Sequence, residues 1–226
     1  PVQIPAGSTT LLVRTAIVND TGFEGPETFT LTATNTGGTG ATGTATIKDD
    51  GTGDVFKYAN NNTATPLAPT DANYPVLDDD RVLTVSNVTV NEGSPYAVFT
   101  VTGANGQTVK LSLDGASGNG TPDAAGGAAA LGANPALQYY EAGVWKTYDA
   151  NNPPKISDGT SLLVRVAINA EQETALDGPE TFRLVATNTG NTSSLSTEGI
   201  ATIKDDGTGS YWIGNATTPA TAQQLA

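Results

Sequence analysis

The stretch Asp177-Gly-Pro-Glu-Thr-Phe-Arg-Leu-Val-Ala-Thr-Asn-Thr-Gly190 decides how this chain is read, because it occurs almost twice. Its earlier copy is Glu24-Gly-Pro-Glu-Thr-Phe-Thr-Leu-Thr-Ala-Thr-Asn-Thr-Gly37. In that copy Phe29, Leu31 and Ala33 alternate with a row of threonines, the pattern of a half-buried antiparallel strand. The match extends outward. Leu11-Leu-Val-Arg14 returns as Leu162-Leu-Val-Arg165, and Ala45-Thr-Ile-Lys-Asp-Asp-Gly-Thr-Gly53 returns as Ala201-Thr-Ile-Lys-Asp-Asp-Gly-Thr-Gly209. The repeat is roughly 150 residues long, the size of a domain rather than of a solenoid unit.

The chain therefore divides into four parts. Residues 1–53 correspond to the last third of one unit and residues 54–80 form a connector rich in Asn, Pro, Ala and Thr. Residues 81–209 are a complete unit, and residues 210–226 open a second connector. Tyr211, Trp212 and Asn215-Ala-Thr-Thr-Pro219 echo Phe56, Tyr58 and Asn62-Thr-Ala-Thr-Pro66. This organisation reads as a segment of a longer array whose start lies upstream.

Composition narrows the function. With 10 Lys and Arg against 23 Asp and Glu, the net charge is −13. A phosphate-binding surface needs the opposite balance, so neither nucleic acid nor an anionic membrane is an expected partner. No apolar run approaches the ~20 residues of a membrane span. Cysteine and histidine are both absent, which removes disulfides, thiolate metal sites and the commonest general base. No Gly-rich phosphate loop or serine triad replaces them, so an enzyme is not expected. The carboxylates recur in both copies, as structural sites do.

Periodicity predicts strands throughout and no helix. In the first part these are Thr10–Val18, Glu27–Thr34 and Thr44–Lys48. In the complete unit they are Arg81–Val90, Tyr96–Thr102, Val109–Leu113, a hairpin of Leu137–Tyr140 and Val144–Tyr148, Ser161–Ile168, Glu180–Thr187 and Gly199–Lys204. The Gly/Ala-rich residues up to Pro135 read as a long loop. Seven to eight short strands with turns between them specify an all-β, immunoglobulin-like Greek-key sandwich, here in tandem. Three strands in residues 1–53 cannot close a core of their own. Their apolar face is expected to be completed by segments equivalent to Arg81–Leu113, from a neighbouring repeat or from an identical subunit in a fibre.

These residues resemble the Calx-beta domain, an immunoglobulin-like sandwich. The resemblance rests on Val90-Asn-Glu-Gly93, Leu113-Asp-Gly-Ala116, Ile4-Pro-Ala-Gly7 with Ile156-Ser-Asp-Gly159, the set Asp20, Glu24, Glu27 and Phe29, and the closing pairs Asp49-Asp50 and Asp205-Asp206. The second copy departs from it, with Glu173 where the first has Asp20. Both copies close on Asp-Asp-Gly rather than three aspartates. Thr- and Asn-rich repeats without cysteine look like those of large bacterial extracellular adhesins.

The resemblance implies calcium, which takes six to eight oxygens and so needs carboxylates from several segments. The implied ligands in the complete unit are Glu92, Asp114, Glu173, Asp177, Glu180, Asp205 and Asp206. Those of the first copy are Asp20, Glu24, Glu27, Asp49 and Asp50. The plainer reading is that these Asp residues form turns and that Glu180 lies on a solvated face. Asp78-Asp-Asp80 is either a further ligand in the connector or an acidic turn. Tyr139, Tyr140, Trp145 and Tyr148 either stack on a glycan or pack against the sheet. The expectation is a calcium-stabilised structural or adhesive module at the cell surface, with a glycan-binding module as the alternative.

Overall fold

The computed structural model describes residues 1–56, 65–75, 77–114, 137–157, 159–168, 178–189 and 195–221, and in them every regular element is a strand. The first part holds β1 (Glu27–Thr34) and β2 (Gly40–Ile47), a two-stranded antiparallel hairpin. The complete unit holds β3 (Thr84–Val85), β4 (Val88–Asn91), β5 (Tyr96–Thr102), β6 (Lys110–Asp114), β7 (Leu137–Glu141), β8 (Val144–Thr147), β9 (Ser161–Ala167), β10 (Glu180–Thr187) and β11 (Ser196–Lys204). One sheet runs β4-β11-β10-β6 and the other β3-β5-β9-β7-β8. Their facing sides make an immunoglobulin-like sandwich. Period-two alternation puts Phe182, Leu184 and Ala186 of β10, and Leu162, Val164 and Val166 of β9, into one core. Phe99 of β5 meets Phe182 of β10 edge to face at 5.8 Å, tying the sheets together.

The segment expected as one strand from Arg81 to Val90 is two strands that belong to different sheets. β3 pairs antiparallel with β5, and β4 pairs parallel with β11. The change of sheet falls at Ser86-Asn87. Ser86 still bonds Thr100 through both its N–H and its hydroxyl, while the Asn87 amide oxygen already accepts the Ile200 N–H at 2.8 Å. The alternation slips there: Leu83 and Val85 face the core before the switch, Val88 and Val90 after it, a shift of phase across Ser86-Asn87 that one continuous strand does not make.

The strand expected over Thr10–Val18 does not form. Its counterpart β9 sits between β5 and β7 and takes backbone partners from both. Residues 10–18 have neither neighbour, and an unpaired strand has no ladder to hold it. Leu11, Val13 and Ile17 are exposed, and so are Phe29 and Leu31 of β1. The Gly/Ala-rich loop lies outside the described residues.

The second connector folds back on its own unit. Ser210 bridges Val90, the Trp212 N–H donates to the Ser94 hydroxyl, and the Gly214 carbonyl accepts from Arg165 at 2.7 Å. Arg165 is buried on the outer face of the five-stranded sheet between the rings of Tyr96 and Trp145, at 4.0 and 4.4 Å.

Candidate metal site at the repeat junction

The end of β2 and the start of the complete unit meet through their backbones. Asp50 forms an antiparallel bridge with Asp79, and the Gly51 N–H donates to the Asp78 carbonyl at 2.7 Å. Gly51 has φ +71° there, and a Cβ would stand 3.1 Å from the Asp79 carboxylate, so glycine suits this close turn. Arg81 fastens the joint. Its guanidinium holds the Asp79 carboxylate at 2.7 and 2.8 Å and also donates to the Asp50 carbonyl at 2.9 Å. The buried Gln107 amide in turn donates to the Arg81 carbonyl at 2.6 Å.

With Asp79 engaged by Arg81, the two flanking aspartates turn the other way. Asp49, Asp78 and Asp80 bring one carboxylate oxygen each to within 4.8 Å of one another. Asp80 is 1% exposed, and neither of its carboxylate oxygens has a hydrogen-bond partner. One Asp49 oxygen accepts the Glu24 N–H at 3.2 Å. Burial, followed by the charges of Asp78, Asp49, Asp20 and Asp79, pushes the Asp80 carboxyl above the usual carboxylate range. Burial also raises Asp49, with Asp78, Asp20 and Asp79 adding to it and the Glu24 bond opposing it. The donor set is all carboxylate oxygen, the chemistry of a hard divalent cation.

The residues singled out from sequence fall into three groups. Asp20, Glu24, Glu27 and Asp49 line one shallow hollow with Ile17 and Ile47. Asp50 and Asp206 close identical turns: each accepts the N–H and the hydroxyl of the threonine two residues on, Thr52 and Thr208. Those bonds, the hydroxyl's first, hold both carboxyls below their ordinary value. Strand direction gathers Glu92, Asp114, Glu180 and Asp205 at one end of the four-stranded sheet: Glu180 pairs Ile203, Arg183 pairs Asp114, and the Glu92 N–H donates to the Lys204 carbonyl. Glu173 and Asp177 lie outside the described residues. Among the described residues the trio that converges is Asp49, Asp78 and Asp80. The sequence signal for it was Asp78-Asp-Asp80, whose connector setting hid its partner across the joint.

The hairpin aromatics are engaged inside the protein. Tyr139 is in the core, the Tyr148 hydroxyl accepts the Leu111 N–H at 3.0 Å, and Tyr140 meets Trp145 edge-on at 5.3 Å. With Trp145 lying over Arg165, packing accounts for them better than a sugar platform does.

No protein-family model matches the chain. No curated protein sequence matches it either. Among solved structures, the Pseudomonas aeruginosa CupB2 chaperone is similar over 54% of this chain and 55% of its own, at 10% identity and TM-score 0.35. The Escherichia coli chaperone DraB is similar over 56% of each chain, at 11% identity and TM-score 0.33. AggA, the major subunit of aggregative adherence fimbriae type I of Escherichia coli, matches 55% of this chain and 93% of its own, at 15% identity and TM-score 0.26. The chain thus spans about half the length of the chaperones it matches. At these scores the sandwich assignment stands on the strand pairing itself.

Proposed function

We propose that this chain is a structural segment of a tandem-repeat protein displayed outside the cell, an adhesin or surface fibre, whose sandwich units calcium stabilises. The observation that carries the reading is a shared register. β1 and β2 pair Glu27 with Ile47, Phe29 with Ala45 and Leu31 with Gly43. β10 and β11 pair Glu180 with Ile203, Phe182 with Ala201 and Leu184 with Gly199. The two strand pairs are one design used twice in one chain, as an array of spacers requires. Carboxylates set at one end of the sheet, and around the hollow of the first copy, are the oxygen donors that calcium takes. Calcium bound only by folded units raises their stability by mass action.

The apolar face of β1 and β2 supports a second element of this reading, in which strands equivalent to Arg81–Leu113 complete the first copy. They come from a neighbouring repeat, with an identical subunit as the other source. Labelling intact cells of the source organism with an antibody raised against residues 1–226 tests the display. Surface labelling is expected, whereas antigen reached only after lysis overturns the reading.

A further inference from the structure

We propose that Asp49, Asp78 and Asp80 bind one calcium ion that closes the joint between the two repeat copies. This rests on calcium as the stabilising cation, but not on where the protein is displayed. Three facts lead to it. The three oxygens come from two segments, the end of β2 and the entry to the complete unit, and lie within 4.8 Å of one another. A carboxylate with 1% exposure and two unpartnered oxygens, as in Asp80, is a costly thing to bury. Neighbouring groups answer other needs: Arg81 neutralises Asp79 and not the trio. A cation among the three supplies the missing partner.

The chemistry selects the ion. Carboxylates without imidazole or thiolate suit calcium or magnesium rather than zinc or copper. Three chain carboxylates, joined by waters, make the irregular shell that calcium tolerates, whereas magnesium demands a near-ideal octahedron. Asp20, whose charge already acts on both Asp49 and Asp80, stands near enough to contribute to the field at the ion. The ion ties the chain across the whole connector, so its consequence is mechanical. With it bound, the backbone bridge between Asp50 and Asp79 and the Arg81 contacts are held closed. Without it, three carboxylates push the joint open.

The test titrates calcium chloride into chelator-treated residues 1–226 by calorimetry, with magnesium chloride as comparison, and follows thermal melting. The parent chain is expected to take up calcium, to melt higher with it, and to prefer it to magnesium at least tenfold. Asp80→Asn and Asp49→Asn are expected to lower the affinity at least tenfold. In chelator Asp80→Asn is expected to melt no lower than the parent, since it removes a buried charge and keeps the shape, which guards against a variant that merely unfolds. Calcium uptake unchanged in Asp80→Asn but lost in Glu180→Gln overturns the junction site while leaving calcium in the sandwich. No uptake by the parent, or an equal weak response to both ions unchanged by the substitutions, overturns the site and leaves surface display untouched.

Discussion

Gly199 of β11 lies directly beneath Ser86, so close that a Cβ on Gly199 would stand 2.3 Å from the Ser86 carbonyl oxygen. Here the chain passes from one sheet to the other, and only a residue without a side chain lets it cross β11. The repeat equivalent is Gly43, which pairs Leu31 as Gly199 pairs Leu184. A Cβ on Gly43 would meet nothing within 4 Å. Gly209 and its equivalent Gly53 differ in the same way: a Cβ on Gly209 would press on the backbone of Val90 and Asn91, and one on Gly53 would meet only the Lys48 side chain.

Gly199→Ala is therefore expected to destabilise residues 1–226 by about 1–3 kcal/mol, the range of overpacked sites. Gly43→Ala is expected to change stability by no more than a few tenths of that. Denaturant melts of the two variants, read at constant slope, check it.

Arg165 gives a prediction of a different kind. Its guanidinium lies between two rings, donates to the Gln138 amide at 2.7 Å and holds the Gly214 carbonyl. Arg165→Met is expected to cost roughly 2–3 kcal/mol, because charged hydrogen bonds in a sheltered place are lost with the stacking. Arg165→Lys keeps the charge but not the planar fork, and is expected to recover less than half. Tryptophan emission from Trp145 and Trp212 is expected to shift to the red as residues 211–220 come away from the sheet.

How much of this was legible beforehand depends on what alternation can report. Glu180–Thr187 and the hairpin around Glu141 stood out because apolar and polar residues alternate between clear turns. The split between β3 and β4 was legible only as a slip in that alternation, from Leu83 and Val85 to Val88 and Val90 across Ser86-Asn87, which the reading of one strand passed over. The missing strand at Thr10–Val18 shows the converse: the pattern was right for a strand, but pairing needs neighbours that residues 10–18 lack in this chain. Arg165 was legible only as part of the repeated Leu-Leu-Val-Arg, because the rings of Tyr96 and Trp145 that enclose it come from other strands. Asp80 was legible only as an acidic run, because its partner Asp49 is brought to it by folding across the connector.

The junction carboxyls make stability depend on pH in a set direction. Asp49 and Asp80 have raised values in the folded chain, so the folded state holds protons more tightly than the unfolded state. In chelator their contribution therefore grows as pH falls from neutrality towards the ordinary carboxylate value of 3.8, and is lost as pH rises. Asp50 and Asp206, held low by their threonines, act oppositely and lose their contribution as pH falls. The difference in melting temperature between the parent and Asp80→Asn isolates the first effect. In chelator Asp80→Asn is expected to gain on the parent as pH rises. With calcium the order is expected to reverse near neutrality, because proton and cation compete for the same oxygens.

The last prediction concerns the open face of the first copy. Phe29 is 36% exposed and Leu31 49%, whereas Phe182 and Leu184 at the same register are fully buried. In residues 1–226, Phe182→Ala is expected to cost roughly 3–5 kcal/mol and Phe29→Ala well under 1 kcal/mol. A chimera that places residues 81–155 directly before Ile4 supplies counterparts of β3 to β8 to the hairpin of β1 and β2. Ile4 then stands where Ile156 stands, and Leu11-Leu-Val-Arg14 follows the turn one residue later than Leu162-Leu-Val-Arg165 does. If the first copy accepts such strands, residues 4–53 of the chimera fold as a full sandwich. The Leu11–Ile17 amides, expected to exchange freely in residues 1–226, then become protected, and Phe29→Ala costs as much as Phe182→Ala does. Strong protection of Leu11–Ile17 in monomeric residues 1–226 would show that nothing is missing. A chimera that leaves these amides exchanging freely would show that β1 and β2 do not take up strands of this kind.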